Sequence, residues 1–171
     1  MTDLGLLLTS SARLRKDGQS VSAERRDDLA FELEQLDALV ALLEEALTEK
    51  GETPMLTSHL GFLVHGLYHG FEKCLLFVLE IRGEPRPEST TWHRDLLQHF
   101  SEQLLDVWDV ANELRSFRHV FRNAYSYELD FARVHSIAVK CPSFWNLVRA
   151  WFEGYIDMPA ENPNDERTER S

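Results

Sequence analysis

Between Leu29 and Leu47 the apolar residues Leu29, Leu33, Leu36, Val40, Leu43 and Leu47 recur three or four positions apart without a break, a spacing that an α-helix gathers onto one face. The other side carries Glu32, Glu34, Asp37, Glu44 and Glu45, the pattern of a solvated helix surface. Later segments keep the same period, and the sequence has no strand-like alternation of useful length, internal repeat, Gly-rich phosphate loop or CxxC pair. The chain therefore reads as all-α. At 171 residues and 43% hydrophobic it suits one domain with a substantial core.

Taken in order, Met1 to Ser20 reads as an arm or short helix, broken at Gly18 and able to cover a neighbouring subunit. Ser22 is the N-cap candidate of the first long helix, with Arg25 in place of the acid of a full capping box, and Gly51 is its C-terminal signal. Pro54 and Thr57 or Ser58 open a second helix that runs to about Arg82. It is apolar on nearly all sides and so is expected at the centre. Gly83 to Pro87 forms a breaker-rich loop. Ser89, Thr90 or Thr91 caps a shorter helix with Trp92, Leu96, Leu97 and Phe100 inward and His93, Arg94, Asp95 and Gln98 outward.

A kink between Ser101 and Asp106 leads into a helix over Asp106 to Asp130. Asp130 caps the next helix, whose apolar side is Val134, Ile137 and Ala138, and Cys141-Pro142 interrupts it. The last helix, Ser143 to Ile156, holds Phe144, Trp145, Leu147, Val148, Trp151 and Phe152, an aromatic surface for the core or for a second subunit. After Met158-Pro159 a charged tail is expected to be disordered. The organisation is thus an arm over 1–20, a helical domain over 21–158 and a tail over 159–171.

Charge narrows the partners. A net charge of -11 and a pI near 5.0 argue against sequence-blind nucleic-acid binding, which draws on net positive charge, but leave room for a local basic cleft. Cys74 and Cys141 lack metal-like spacing and read as reduced, packed thiols of a cytoplasmic protein. The start Leu4 to Leu8 is too short, and lacks the basic leader, for a signal peptide. No segment is expected to reach membrane-spanning length. His65 and His69 stand one helical turn apart with Glu72 nearby, a spacing open to a metal. No third ligand of known pattern accompanies them, and packing beside Gly66 and Gly70 is the alternative.

The basic cleft has a candidate. From Leu114 to Ala124 the apolar positions Leu114, Phe117, Phe121 and Ala124 form one face, and Arg115, Arg118 and Arg122 follow the same rhythm beside it, with Tyr125 in line. Between Glu113 and Glu128 no acid interrupts them. A guanidinium fork on a packed helix suits a phosphate; pairing with the chain's own 29 acids is the other reading.

The run Arg118-His119-Val120-Phe121-Arg122-Asn123-Ala124-Tyr125 resembles the signature of HepT-like HEPN domains, and the blocks Leu63 to Lys73, Thr91 to Phe100 and Phe117 to Asp130 look like that subgroup's. In the resemblance Arg118 falls on the family's arginine, His119 on the polar position after it and Tyr125 on its tyrosine, while Asn123 stands where the catalytic histidine is expected. It implies an all-α, HEPN-like bundle of five to six helices that forms a homodimer. It further implies a metal-independent endoribonuclease of a toxin-antitoxin module, without cofactors, acting on RNA and paired with a minimal nucleotidyltransferase that modifies Tyr125 with AMP.

In that reading Arg118, with Arg115 and Arg122, binds phosphate, His119 either moves protons or hydrogen-bonds to the acidic first or second helix, Asn123 orients the substrate and Glu72 partners a motif arginine. A carboxamide cannot act as an acid or base near neutrality. The alternative is thus a weak or inactive HEPN module that binds or regulates its nucleotidyltransferase. Residues five apart, such as Arg118 and Asn123, diverge by roughly 140 degrees on an ideal helix, so one site would need a helix distortion or a second subunit.

Overall fold

The structure, a computed structural model, describes residues 4–123 and 129–157, with side chains from residue 21 onward. Six α-helices follow one another: α1 (Leu4–Leu47), α2 (Pro54–Ile81), α3 (Trp92–His99), α4 (Trp108–Asn123), α5 (Phe131–Ala138) and α6 (Cys141–Ile156). A short 3-10 helix, Leu105–Val107, leads into α4. Among the described residues there is no strand, and the all-α expectation holds.

In α1 the stripe Leu29, Leu33, Leu36, Val40, Leu43 and Ala46 is buried, and Leu47 is only partly covered. Ser22 caps nothing, however: α1 runs unbroken from Leu4, so Gly18 and Ser22 are interior positions and the expected boundary at residue 20 falls inside one helix. A glycine within a helix costs only about 1 kcal/mol relative to alanine, less than the helix-forming residues on either side of Gly18 supply together. After Thr48, Gly51 turns the chain at φ 104°, a left-handed conformation open to glycine at little cost.

The two long helices are antiparallel. Arg25 Nε lies 3.4 Å from Glu80, Lys73 Nζ lies 2.5 Å from Glu32, and Leu36 and Leu39 seat against Gly70 and Gly66. A Cβ on Gly70 would overlap Leu36 Cδ2, and one on Gly66 would meet Leu39 Cδ1 at 2.9 Å. The axes approach where side chains are missing.

Thr53 caps α2, its Oγ1 accepting the Leu56 N–H at 3.1 Å, and Pro54 takes the first turn, where a missing N–H costs nothing. Thr57 and Ser58, expected as caps, instead donate their hydroxyls to the carbonyls of Thr53 and Pro54. α2 touches each of the other five helices. It is also long and apolar enough to cross a membrane, contrary to expectation, and 67% of its most apolar window is buried within the bundle. Its central place accounts for that composition.

The remaining helices close around α2. Phe71 meets Phe144 edge-on at 5.2 Å and Phe152 at 6.0 Å. Pro142 fits the first turn of α6, so this helix begins at Cys141 rather than Ser143. Its Phe144, Trp145 and Phe152 are core residues, whereas Leu147 is exposed. Asp37 ties α6 to α1 by accepting from Trp145 Nε1 at 2.7 Å and from Arg149 Nε at 2.8 Å. Asp130 caps α5 by accepting from the Arg133 N–H at 2.8 Å. The helix expected over Asp106 to Asp130 is shorter: the 3-10 turn precedes it and α4 is described only to Asn123. Ala124 and Tyr125 lie outside the described residues.

Gly70→Ala is expected to destabilise the fold, because overpacking costs about 1–3 kcal/mol against a helix-propensity gain of at most about 1 kcal/mol. Gly66→Ala, facing one movable methyl of a half-buried leucine, should stay near wild type. Urea midpoints of the two variants check this, and equal midpoints would contradict the close contact at Gly70. Asp37→Ala should cost about 1–3 kcal/mol by leaving the Trp145 N–H unpaired in the core. Asp37→Asn, which keeps an acceptor, should lose less in the same titration.

Candidate functional site

Among the described residues, Glu72 is the charged one buried in the core. It sits on the face of α2 shared with Tyr68, one turn earlier, and is 2% exposed. Three helices supply its neighbours. His93 of α3 places Nδ1 2.8 Å from Glu72 Oε1, and Arg118 of α4 places Nε 3.5 Å from Oε2. The second contact is an ion pair too long for a good hydrogen bond; Glu72 Oε2, Arg118 Nε and the Tyr68 hydroxyl are buried without a hydrogen-bond partner among the described residues.

His93 is thus not on the outward side of α3. It keeps the spacing of the buried residues Leu96, Leu97 and Phe100, which puts all four on one helix face. The outward assignment rested on polarity alone, and a buried carboxylate makes an inward imidazole favourable.

Burial sets the electrostatics. Desolvation raises the Glu72 carboxyl to about 7, with the Arg118 charge pulling against it. Burial and then the Arg118 charge hold the His93 imidazole down to about 4. The Tyr68 phenol is pushed up by burial and by the Glu72 charge. His65, lowered by burial and Arg118, stacks on Phe121 of α4 at 4.9 Å and 29°. Gly61 makes room for this ring: a Cβ there would meet Phe121 Cε2 at 3.0 Å.

The motif residues divide between two environments. Arg118 turns inward to Glu72, and Arg115 is half-buried with its Nε 3.4 Å from Asn112 Oδ1. His119, Arg122 and Asn123 are exposed. Asn123 Nδ2 donates to the His119 carbonyl at 2.7 Å, so its amide folds back on its own helix rather than toward Arg118, as the angular offset on a regular helix requires. His65 and His69 do not converge with Glu72: His69 is exposed, and no group of three potential ligands close enough for a metal occurs among the described residues.

Together the geometry gives a sealed carboxylate that orients an imidazole on one oxygen and a guanidinium on the other, next to an exposed strip of Arg122 and His119. Such a set can hold an anion and move a proton. Tyr68 escaped the sequence reading, His65 entered it only as a metal candidate, and His93 was placed on the wrong side of its helix although its spacing carried the signal.

The two perturbed groups oppose each other. Between the usual carboxyl pKa and about 7 the folded state holds a proton on Glu72 that the unfolded chain has lost, so this group makes stability fall as pH rises. Between about 4 and the usual imidazole value the unfolded chain holds the His93 proton, so this one makes stability rise with pH. Wild type is therefore expected to be nearly flat from about pH 4.5 to 6.5 with respect to this pair. Glu72→Gln should gain stability with rising pH there and His93→Gln should lose it, each by at most about 1.4 kcal/mol per pH unit. Urea unfolding across that range tests it; parallel profiles for the two variants would contradict the arrangement.

A family model described as HepT-like protein matches residues 59–158, from the second turn of α2 through α6, a span that includes Tyr68, Glu72, His93 and Arg118. No curated protein and no solved structure matches the chain. With more than half of its length covered by that match, the chain belongs to the HepT-like protein family.

Proposed function

We propose that this HepT-like chain is a metal-independent endoribonuclease acting at the α2–α3–α4 surface, and that it is one component of a toxin-antitoxin module. The observation that carries the reading is Arg118, braced from beneath by the buried Glu72, with Arg115 and Arg122 along the same helix of an otherwise acidic protein. A guanidinium fixed in this way is pre-ordered for a phosphodiester and for the charge that develops on it. The neighbouring 2′-hydroxyl of RNA is its own nucleophile, so no metal is needed to generate one. The cytoplasmic protein acts as a homodimer, and a minimal nucleotidyltransferase neutralises it by attaching AMP at Tyr125, next to the arginines that RNA phosphate requires.

A second reading has its own support. Asn123 holds the motif's histidine position and spends its amide on the His119 carbonyl, as suits a binding module that pairs with or regulates a nucleotidyltransferase without cutting RNA. Co-purification with such a partner, combined with no RNase activity, favours this version.

Full-length protein incubated with RNA in a metal chelator is expected to cleave it. Arg118→Ala should slow cleavage by about 10²-fold or more. Arg118→Lys, which keeps a charge over Glu72 but loses the planar fork, should fall between the two while remaining folded. Equal rates for all three proteins would remove the nuclease reading.

A further inference from the structure

The α4 motif offers a phosphate-binding arginine but, at Asn123, no proton acceptor, and cleavage of RNA by its own 2′-hydroxyl needs one. His119 is the nearest imidazole in sequence. It is exposed, and among the described residues no side chain hydrogen-bonds its ring. A different imidazole is already in place. His93 comes from α3, outside the motif, and Glu72 holds its Nδ1 at 2.8 Å while facing Arg118 with the other carboxylate oxygen.

The side-chain exposures sort the roles. Glu72 is 3% accessible, Arg118 16% and His93 23%. The carboxylate is sealed in, and the two groups it orients reach the surface. With Nδ1 committed to the carboxylate, Nε2 is the nitrogen left for a ligand, and a carboxylate at Nδ1 selects the tautomer whose Nε2 carries a lone pair.

We propose that His93, oriented by the buried Glu72 beside Arg118, is the imidazole that takes the 2′-hydroxyl proton in this site, doing what Asn123 cannot. The assignment rests on the nuclease reading above. In the step, the 2′-oxygen bonds to phosphorus, its proton passes to His93 Nε2, the bond from phosphorus to the 5′-oxygen breaks, and that oxygen takes a proton from water. The products are a 2′,3′-cyclic phosphate and a 5′-hydroxyl end. Arg118 faces the non-bridging oxygens. His93 is a catalytic residue in this scheme and Glu72 a positioning residue.

The surroundings suit the task. His93 is neutral at pH 7, held so by burial and by Arg118, Arg122 and His69. An incoming phosphate offsets the arginine charges and moves the imidazole toward the range where general bases operate. The dyad works when Glu72 is ionised. Its own protonation is governed by burial against Arg118, Arg115 and Arg122 of α4, with Tyr68 beside it on α2 and His93 facing it from α3. Cleavage therefore rises through the Glu72 transition near 7.

Two measurements on the full chain test this. At pH 8, nitrogen NMR of the histidine rings should show His93 as a single Nδ1–H tautomer whose Nε2 signal moves when an uncleavable 2′-deoxy oligonucleotide is added. Glu72→Gln should lose the single tautomer. In cleavage assays His93→Gln should lose about 10²-fold or more while binding the 2′-deoxy oligonucleotide as wild type does. Glu72→Gln should lose the acidic limb near pH 7, and the control His99→Gln, on the same helix but paired with Glu84, should keep full activity. If wild type cleaves and His93→Gln cleaves equally well, the assignment falls and the nuclease reading stands. An unmoved Nε2 signal at saturating oligonucleotide also overturns the assignment. Absence of cleavage by wild type removes the nuclease reading and this role with it.

Discussion

A carboxylate in the middle of a helix that every other helix touches is expensive, since an ionised group removed from water loses several kcal/mol of hydration unless charges and donors replace it. Glu72 meets this with groups from two other helices, and the replacement is incomplete: one oxygen has a good partner in His93, while the other faces Arg118 at ion-pair rather than hydrogen-bond distance. The carboxyl therefore titrates near neutrality instead of far below it. Through these two contacts one residue of α2 fixes how a side chain of α3 and a side chain of α4 are presented beside it.

Much of the architecture was legible because burial follows the helical period. Leu29 to Leu43, the apolar girth of α2 and the Asp130 cap declared themselves in the order of residues. What misled was local punctuation. Gly18 and Ser22 look like a helix break and a cap, but the cost of one glycine is too small to stop a helix already propagating from both sides. Thr53, rather than Thr57 or Ser58, caps α2 because the cap must precede Pro54, which already has a helical backbone.

The site was half legible. Glu72 stands out as an acid within an apolar helix, and the arginines of α4 stand out against the chain's charge. The inward turn of His93 was missed because polarity was weighed above spacing, although residues 93, 96, 97 and 100 share one face. The fate of Asn123 was partly given by geometry, since five residues on a helix do not bring two side chains together. Its bond to the His119 carbonyl is a rotamer outcome that no spacing encodes.

The seat of Leu36 on Gly70 reaches beyond packing. Where two helices meet over a missing Cβ, one side chain, here Leu36, rests directly against the main chain of the other helix. One face of α2 is thereby pinned to a rigid backing, two residues before the buried acid on its other flank. Substitutions at the exposed acids Glu34, Glu44 and Glu45 of α1 leave that seat untouched, so this part of the surface is free to drift while the depth of the buried acid stays constant.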